Sequence, residues 1–183
     1  MLQRQIIEAE ITTTALSLDA LAYGRLYKLY RYWDYARGQN RWLPYADLRP
    51  EEFAFVWPRV ALLEQRAPDS QSRSLFVRLI GSEIENAPLG YVAGRYIEDI
   101  TVGWYRDYLV DRYRQAFLSG EPGCDRVQVE MPGGGRLFTY DRLLLPLSLT
   151  GEKVDFLLLG IIDSNPLALF LTSSMREYGS YSL

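Results

Sequence analysis

Apolar residues recur along this chain with two different periods, and the change from one to the other divides it. From Asp19 the spacing is helical. Ala22, Leu26, Leu29, Trp33 and Ala36 lie three or four residues apart on one face, with Arg25, Lys28 and Arg31 opposite. This predicts a helix from about Asp19 that stops at Gly38, a residue that accepts left-handed backbone without Cβ strain. Leu43-Pro44 then breaks the chain. Pro50 opens a short second helix with Glu51 and Glu52 in its first turn, where the helix dipole favours anions, and Pro58 ends it. Residues Met1 to Thr14, which end in Thr12, Thr13 and Thr14, have no clear period and read as an arm or weak strand.

Beyond Pro58 the period shortens. Val60 to Gln65 and Arg73 to Ile80 are expected strands, joined by the turn-rich RAPDSQS. Ser82 and Glu85 have capping-box spacing for a short helix, which APLG closes at Gly90. Tyr96 to Ile100 suits one further turn. A long helix capped by Thr101 is expected from about Val102 to Ser119, stopped by Gly120. Its expected stripe carries Trp104, Tyr108, Val110 or Asp111, and Ala116 or Phe117. Three strands follow, at residues 126–131, 136–149 and 154–163. The last has no polar face between Phe156 and Ile162, so it belongs at the centre of a sheet, covered on both sides. The order predicts an α+β fold, an antiparallel sheet with helices over one face. The expected division is an N-terminal arm and helical flank over 1–58, a core over 59–163 and a tail over 164–183.

Composition narrows the function. The 183 residues are 48% hydrophobic and 23% charged, enough for one packed domain. A formal net charge of −3 argues against general polyanion binding, which rests on Lys and Arg neutralising phosphates. There is no His, which removes the usual general base and the commonest zinc and haem ligand. The single Cys makes no internal disulfide. No apolar run reaches the roughly 18 residues of a membrane span, and the N-terminus lacks the apolar stretch of a signal peptide. A cytoplasmic location is expected.

Candidate chemistry is sparse. Gly133, Gly134 and Gly135 lie between two strands, which favours a hairpin turn over a phosphate cradle. Cys124 has no His to activate it. The pairs Glu83/Glu85 and Glu98/Asp99 lack the spacing of a calcium loop. No metal site and no catalytic constellation is expected. Between Arg25 and Arg41 lie five basic residues and one acid, Asp34, with Tyr27, Tyr30, Tyr32 and Tyr35 among them. Such a surface could grip single-stranded nucleic acid by stacking and charge. A Leu/Trp stripe at helical spacing more often packs, and Tyr is common at protein interfaces. The stripe Leu26, Leu29 and Trp33 is therefore expected to bury on the sheet or on a second chain, with a homodimer favoured over nucleic acid.

An ordered series of residues resembles a bacterial family of stand-alone PAS-domain proteins. It runs Tyr32-Trp33, Arg37-Gly38, Leu43-Pro44, Asp47 with Pro50, Trp57-Pro58 and Leu62-Leu63-Glu64. It continues with Phe76, Arg78-Leu79-Ile80-Gly81, Gly90, Gly94-Arg95 and the LLLPLS of Leu143 to Ser148. The resemblance spans about residues 21–163, and Gly160 to Asp163 is similar to the last strand of PAS domains in general. It implies a five-stranded antiparallel sheet with short helices and one long helix over its inner face. It also implies a sensory and interaction role through a protein partner, with a small ligand held between sheet and helices in some members. His-ligated haem is disfavoured because there is no His, and cysteinyl-flavin chemistry because Cys124 follows the long helix. Nothing after Asp163 is long enough for a kinase or cyclase. The expected function is a non-enzymatic regulatory module. A structural dimerising scaffold without ligand is the alternative, and an enzyme of unknown class the third. The candidate ligand residues are Arg78, a charge inside an apolar strand, with Tyr91, Trp104 and Tyr108. Trp104 and Tyr108 share a helix face. An inward Arg78 needs an anionic or carbonyl partner, so the ligand is expected to carry an acidic or carbonyl group; the alternative reading is that Arg78 points outward with Phe76 and Ile80 on its own face, or pairs with a nearby Glu.

Overall fold

The apolar run FLLLGIID forms strand β7 (Phe156–Asp163), and its lack of a polar face is explained by its neighbours. The computed structural model describes residues 9–21, 24–85, 92–100, 103–131 and 135–163. The other strands are β1 (Glu10–Leu16), β2 (Leu43–Pro44), β3 (Val60–Gln65), β4 (Leu75–Ile80), β5 (Gly123–Met131) and β6 (Gly135–Ser148). The helices are α1 (Arg25–Arg37), α2 (Ser82–Glu85) and α3 (Gly103–Ser119), with two 3-10 turns joined by a kink at Phe53 within Pro50–Arg59 and short ones at Leu18–Leu21, Tyr45–Asp47 and Ile97–Asp99. All seven strands join one sheet in the order β1-β5-β6-β7-β3-β4, with β2 attached to β6. Two-residue β2 runs parallel to the end of β6, opposite Leu147 and Ser148, just beyond the last β5 pair at Leu144. The remaining pairings are antiparallel.

The five expected strands are all present, and the N-terminal arm and flank supply two differences. The arm adds β1 to the free side of β5, and β2 makes the seventh strand. The expected helix from Asp19 starts later, at Arg25, after a 3-10 turn. Gly38 (φ +55°) and Gly120 (φ +64°) end α1 and α3 with positive φ, as their sequence positions require. The tail 164–183, the Thr101 cap and the Gly90 stop lie outside the described residues.

Helices cover both faces of the sheet rather than one. On the inner face α3 packs Tyr105, Leu109, Tyr113, Ala116 and Phe117 over Val127, Val129, Leu144, Leu157 and Leu159. On the outer face α1 packs Leu26, Leu29, Tyr32 and Trp33 over Leu143, Leu145, Leu147 and Leu158. Strand alternation produces this division, since successive side chains point to opposite faces. The contact on the outer face is close. A Cβ on Gly160 of β7 would lie 2.7 Å from Leu26 Cδ2 and 2.9 Å from Leu29 Cδ2, so the absence of a side chain there lets α1 settle on the sheet. Trp33 Nε1 donates to Pro146 O at 2.9 Å, and the Arg49 amide donates to Tyr32 Oη at 2.7 Å.

The expectation that Leu26, Leu29 and Trp33 form a dimer interface is corrected by this packing. All three are buried within one chain, Leu29 completely. The helical period had shown that the stripe must be covered, and the sheet covers it. Burial of each Leu-sized side chain contributes about 1.5–3 kcal/mol. Leu29→Ala is therefore expected to lower the unfolding free energy by about 2–5 kcal/mol in urea titrations. The double replacement of Leu29 and Trp33 by Glu is expected to abolish the folded far-UV circular dichroism spectrum. A folded double variant would contradict the intramolecular role of α1.

Candidate ligand site beneath the long helix

Strand β6 alternates Phe138, Tyr140, Arg142 and Leu144 toward α3, and Leu143, Leu145 and Leu147 toward α1. Arg142 is thereby carried into the inner core, where its exposure is 0%. Its cross-strand partner in the β5–β6 register is Asp125, also on the inner face and 2% exposed. The two form a two-point ion pair, with Arg142 Nε to Asp125 Oδ1 at 2.9 Å and Nη2 to Oδ2 at 3.0 Å. A planar guanidinium matches a carboxylate in this way, and the pairing is stronger than neutral hydrogen bonds.

Other elements complete the network. From α3, Arg112 Nε donates to Asp125 Oδ2 at 2.8 Å. Arg142 Nη2 also donates to Tyr108 Oη at 2.9 Å, and the same hydroxyl is hydrogen-bonded to Thr13 Oγ1 of β1 at 2.9 Å. The hydroxyls of Tyr105 and Tyr140 meet at 2.9 Å. The guanidinium lies 5.5 Å from the ring centre of Tyr108, 5.4 Å from Tyr113 and 6.0 Å from Tyr140. Aromatic faces attract a cation at that range.

Burial pushes the hydroxyls of Tyr105, Tyr113 and Tyr140 above their ordinary value of 10.0, so they remain neutral donors and acceptors at neutral pH. Burial opposes the charge of Arg142, and the surrounding Tyr140 and Tyr113 oxygens and Asp125 outweigh it. Two guanidiniums share one carboxylate, which leaves the network with an excess of positive charge. Arg142 Nη1 has no hydrogen-bond partner although it is buried. The Tyr113 hydroxyl interacts with this guanidinium without reaching hydrogen-bond geometry at Nη1. An unmet buried donor costs about 1–3 kcal/mol, and more when charged. Nη1 is the guanidinium nitrogen for which no acceptor among the described residues meets hydrogen-bond geometry. The arrangement offers no activated nucleophile: burial, then the nearby Asp125 charge, push the Cys124 thiol up to about 12, so it is protonated at neutral pH.

The residues singled out by sequence are only partly brought together. Tyr108 is in the network. Trp104 is half-buried beside Tyr105, one position away from the stripe that faces the sheet. The buried stripe of α3 runs Tyr105, Leu109, Tyr113 and Phe117, not Trp104 and Tyr108. Tyr91 lies outside the described residues. Arg78 does not face the inner core. The β3–β4 register skips it between Val77 and Leu79, so it is the extra residue of a β-bulge. Its side chain is 45% exposed and sits 3.5 Å from Glu64, which meets its charge. The expectation of an inward Arg78 awaiting a ligand is corrected accordingly.

Sequence reasoning missed Arg142, Asp125, Tyr105, Tyr113 and Tyr140. The signal was present in FTYDRLLL, where Arg142 has the same parity as Phe138, Tyr140 and Leu144. On the outside, the tyrosines of α1 are largely used internally. Tyr32 is buried and Tyr30 stacks on Trp33, while Tyr35 is exposed and Lys28 lies over the ring of Phe55. Among the described residues no group of His, Cys, Asp and Glu could hold a metal ion, and no helix is long and apolar enough to cross a membrane. A half-open surface cleft of about 220 Å³ between residues 40–44 and 148–151 shares no residue with the network.

No protein-family model matches the chain, and no curated protein matches its sequence. Among solved structures it is similar to an RNA-binding light-oxygen-voltage receptor, at 12% identity and a TM-score of 0.43, over 97% of this chain and 44% of that one. The chain thus spans less than half the length of that receptor. At that distance the likeness decides neither fold nor function.

The network makes an asymmetric prediction. Asp125→Ala leaves Arg142 charged, buried and held by Tyr108 alone, and is expected to cost about 3–5 kcal/mol of stability. Arg142→Met keeps the volume, and Arg112 still meets Asp125, so it should cost much less. Urea unfolding of both variants checks the order. An equal loss in the two would contradict the role given to Arg112.

Proposed function

We propose that this chain is a cytoplasmic, non-enzymatic regulatory module of PAS-like architecture, acting through a protein partner and gated by a small ligand with an acidic or carbonyl group. On this reading residues 59–163 form the PAS-like core, 1–58 its flank and 164–183 a tail. The observation that carries the reading is the unpartnered Nη1 of fully buried Arg142. A carboxylate or carbonyl oxygen there gains a charge-assisted hydrogen bond and balances the surplus positive charge. The site lies between the inner sheet face and the long helix, where the PAS resemblance implies that ligands sit. The order of two strands, short helices, a long helix and three strands supports the same architecture.

Gating follows from the shared hydroxyl of Tyr108. A ligand that draws Arg142 toward itself weakens the Nη2 bond to Tyr108 and with it the tie to Thr13. The shift is limited by the difference in the ligand's affinity for the two arrangements. Native mass spectrometry of the protein purified from its own host tests the reading. The wild-type chain is expected to retain a small acid or carbonyl compound, and folded Arg142→Met to lose it. Retention of nothing would favour a scaffold without ligand, and equal retention by the variant would move the site away from Arg142.

A further inference from the structure

The sheet has two edges, and they are treated differently. At β4 the loop following α2 closes the edge: Val77 N donates to Arg95 O, and Gly94 N to Val77 O, each at 2.9 Å. Phe76 and Tyr96 pair across it. At β1 no strand or loop among the described residues pairs with the outer side. A bare edge is a template for another strand, and proteins blunt such edges with Lys, Pro, bulges or covering loops. Strand β1 has no Lys, no Pro and no bulge, no covering loop among the described residues, and a single charge, Glu10, at its start. Its sequence, EITTTAL, pairs with β5 over all seven residues without a register shift. Its three threonines are β-branched and suited to a pleated ladder.

We infer that a second copy of this chain pairs with β1 edge to edge, antiparallel about a two-fold axis at Thr13, making one sheet continuous across a homodimer. The sequence is self-complementary in that register. Thr13 meets the partner's Thr13, Thr12 meets Thr14, Ile11 meets Ala15, and Glu10 meets Leu16. No like charges face each other, and Thr–Thr pairs across strands are favourable. The faces also agree. Ile11, Thr13 and Ala15 stand opposite Val129, Val127 and Asp125 of the inner face, while Thr12, Thr14 and Leu16 stand opposite Gln128, Arg126 and Cys124 of the outer face. A two-fold axis of this kind makes the same patch its own partner. Seven paired residues alone fall short of the about 1,000 Å² of a stable interface, so the dimer is concentration-dependent. The inference does not depend on the ligand reading.

The test uses residues 12 and 14, both exposed and clear of the Arg142 network. Thr12→Glu with Thr14→Glu sets two Glu–Glu pairs across the axis. Thr12→Lys with Thr14→Glu sets two Lys–Glu pairs. Both variants carry the same Thr14→Glu change opposite Arg126 of β5, so at that position docking of β1 on its own sheet is matched. Sedimentation equilibrium of the full chain is expected to show a wild-type dimer whose dissociation constant rises about tenfold or more in the Glu/Glu variant. The Lys/Glu variant should dimerise at least as well as wild type. A wild-type chain still monomeric at about 1 mM, the weak end of specific affinity, overturns the inference and leaves the edge to some other strand. A dimer indifferent to Glu/Glu overturns it by putting the interface elsewhere. Loss of the dimer in both variants overturns the register about Thr13.

Discussion

Holding the charged end of Arg142 inside a sheet costs several kcal/mol unless other groups meet it, and the elements around it are arranged to do so. Strand β5 sets Asp125 directly opposite. Helix α3 adds Arg112 to the carboxylate and Tyr108 to the guanidinium. Strand β1 reaches the same cluster through Thr13. The rotation of α3 that aims Arg112 at Asp125 and Tyr108 at Arg142 and Thr13 also turns Tyr105, Leu109 and Tyr113 onto the sheet. Polar and apolar requirements therefore fix the same helix orientation. What remains unmet on the guanidinium is one nitrogen, and the proposed ligand follows from it.

The opposite face obeys a simpler rule. There α1 lies on leucines of β6 and β7, with Gly160 allowing the approach. With both faces covered by the chain's own helices, neither offers bare sheet to a partner chain. The exchangeable positions are at the margin, above all at β1. Its Ile11 and Leu16 are only half-buried, and its middle is threonine. A strand held by backbone pairing and one side-chain hydrogen bond belongs to the low-stability end of a fold, from which moving elements are drawn.

Much of this was legible in the residues. Strand β3 has the limits its pattern indicates, and β7 is central because an apolar run without a polar side has to be covered twice. The misses have physical causes. Periodicity shows that a face of α1 is buried, but does not say against what. Helix α3 has aromatics at 104, 105, 108 and 113, which offers two adjacent stripes, and only contact with Tyr140 and Phe138 selects the one through Tyr105. The inward reading of Arg78 fails because a bulge breaks strand alternation, which nothing in LFVRLI announces, and the alternative of a Glu partner holds. Arg142 could have been found by counting parity along β6, where alternation is unbroken from Phe138 to Leu144.

The central claim is that the buried guanidinium cluster holds the edge strand through Tyr108. Hydrogen exchange in Tyr108→Phe measures this directly, since the change removes only the hydroxyl shared by Arg142 and Thr13. The amides of β1 are expected to exchange about tenfold faster, a shift equal to the loss of one hydrogen bond, while those of β3 and β7 keep their protection. Unchanged exchange in β1, or an equal loss throughout the sheet, would contradict the account.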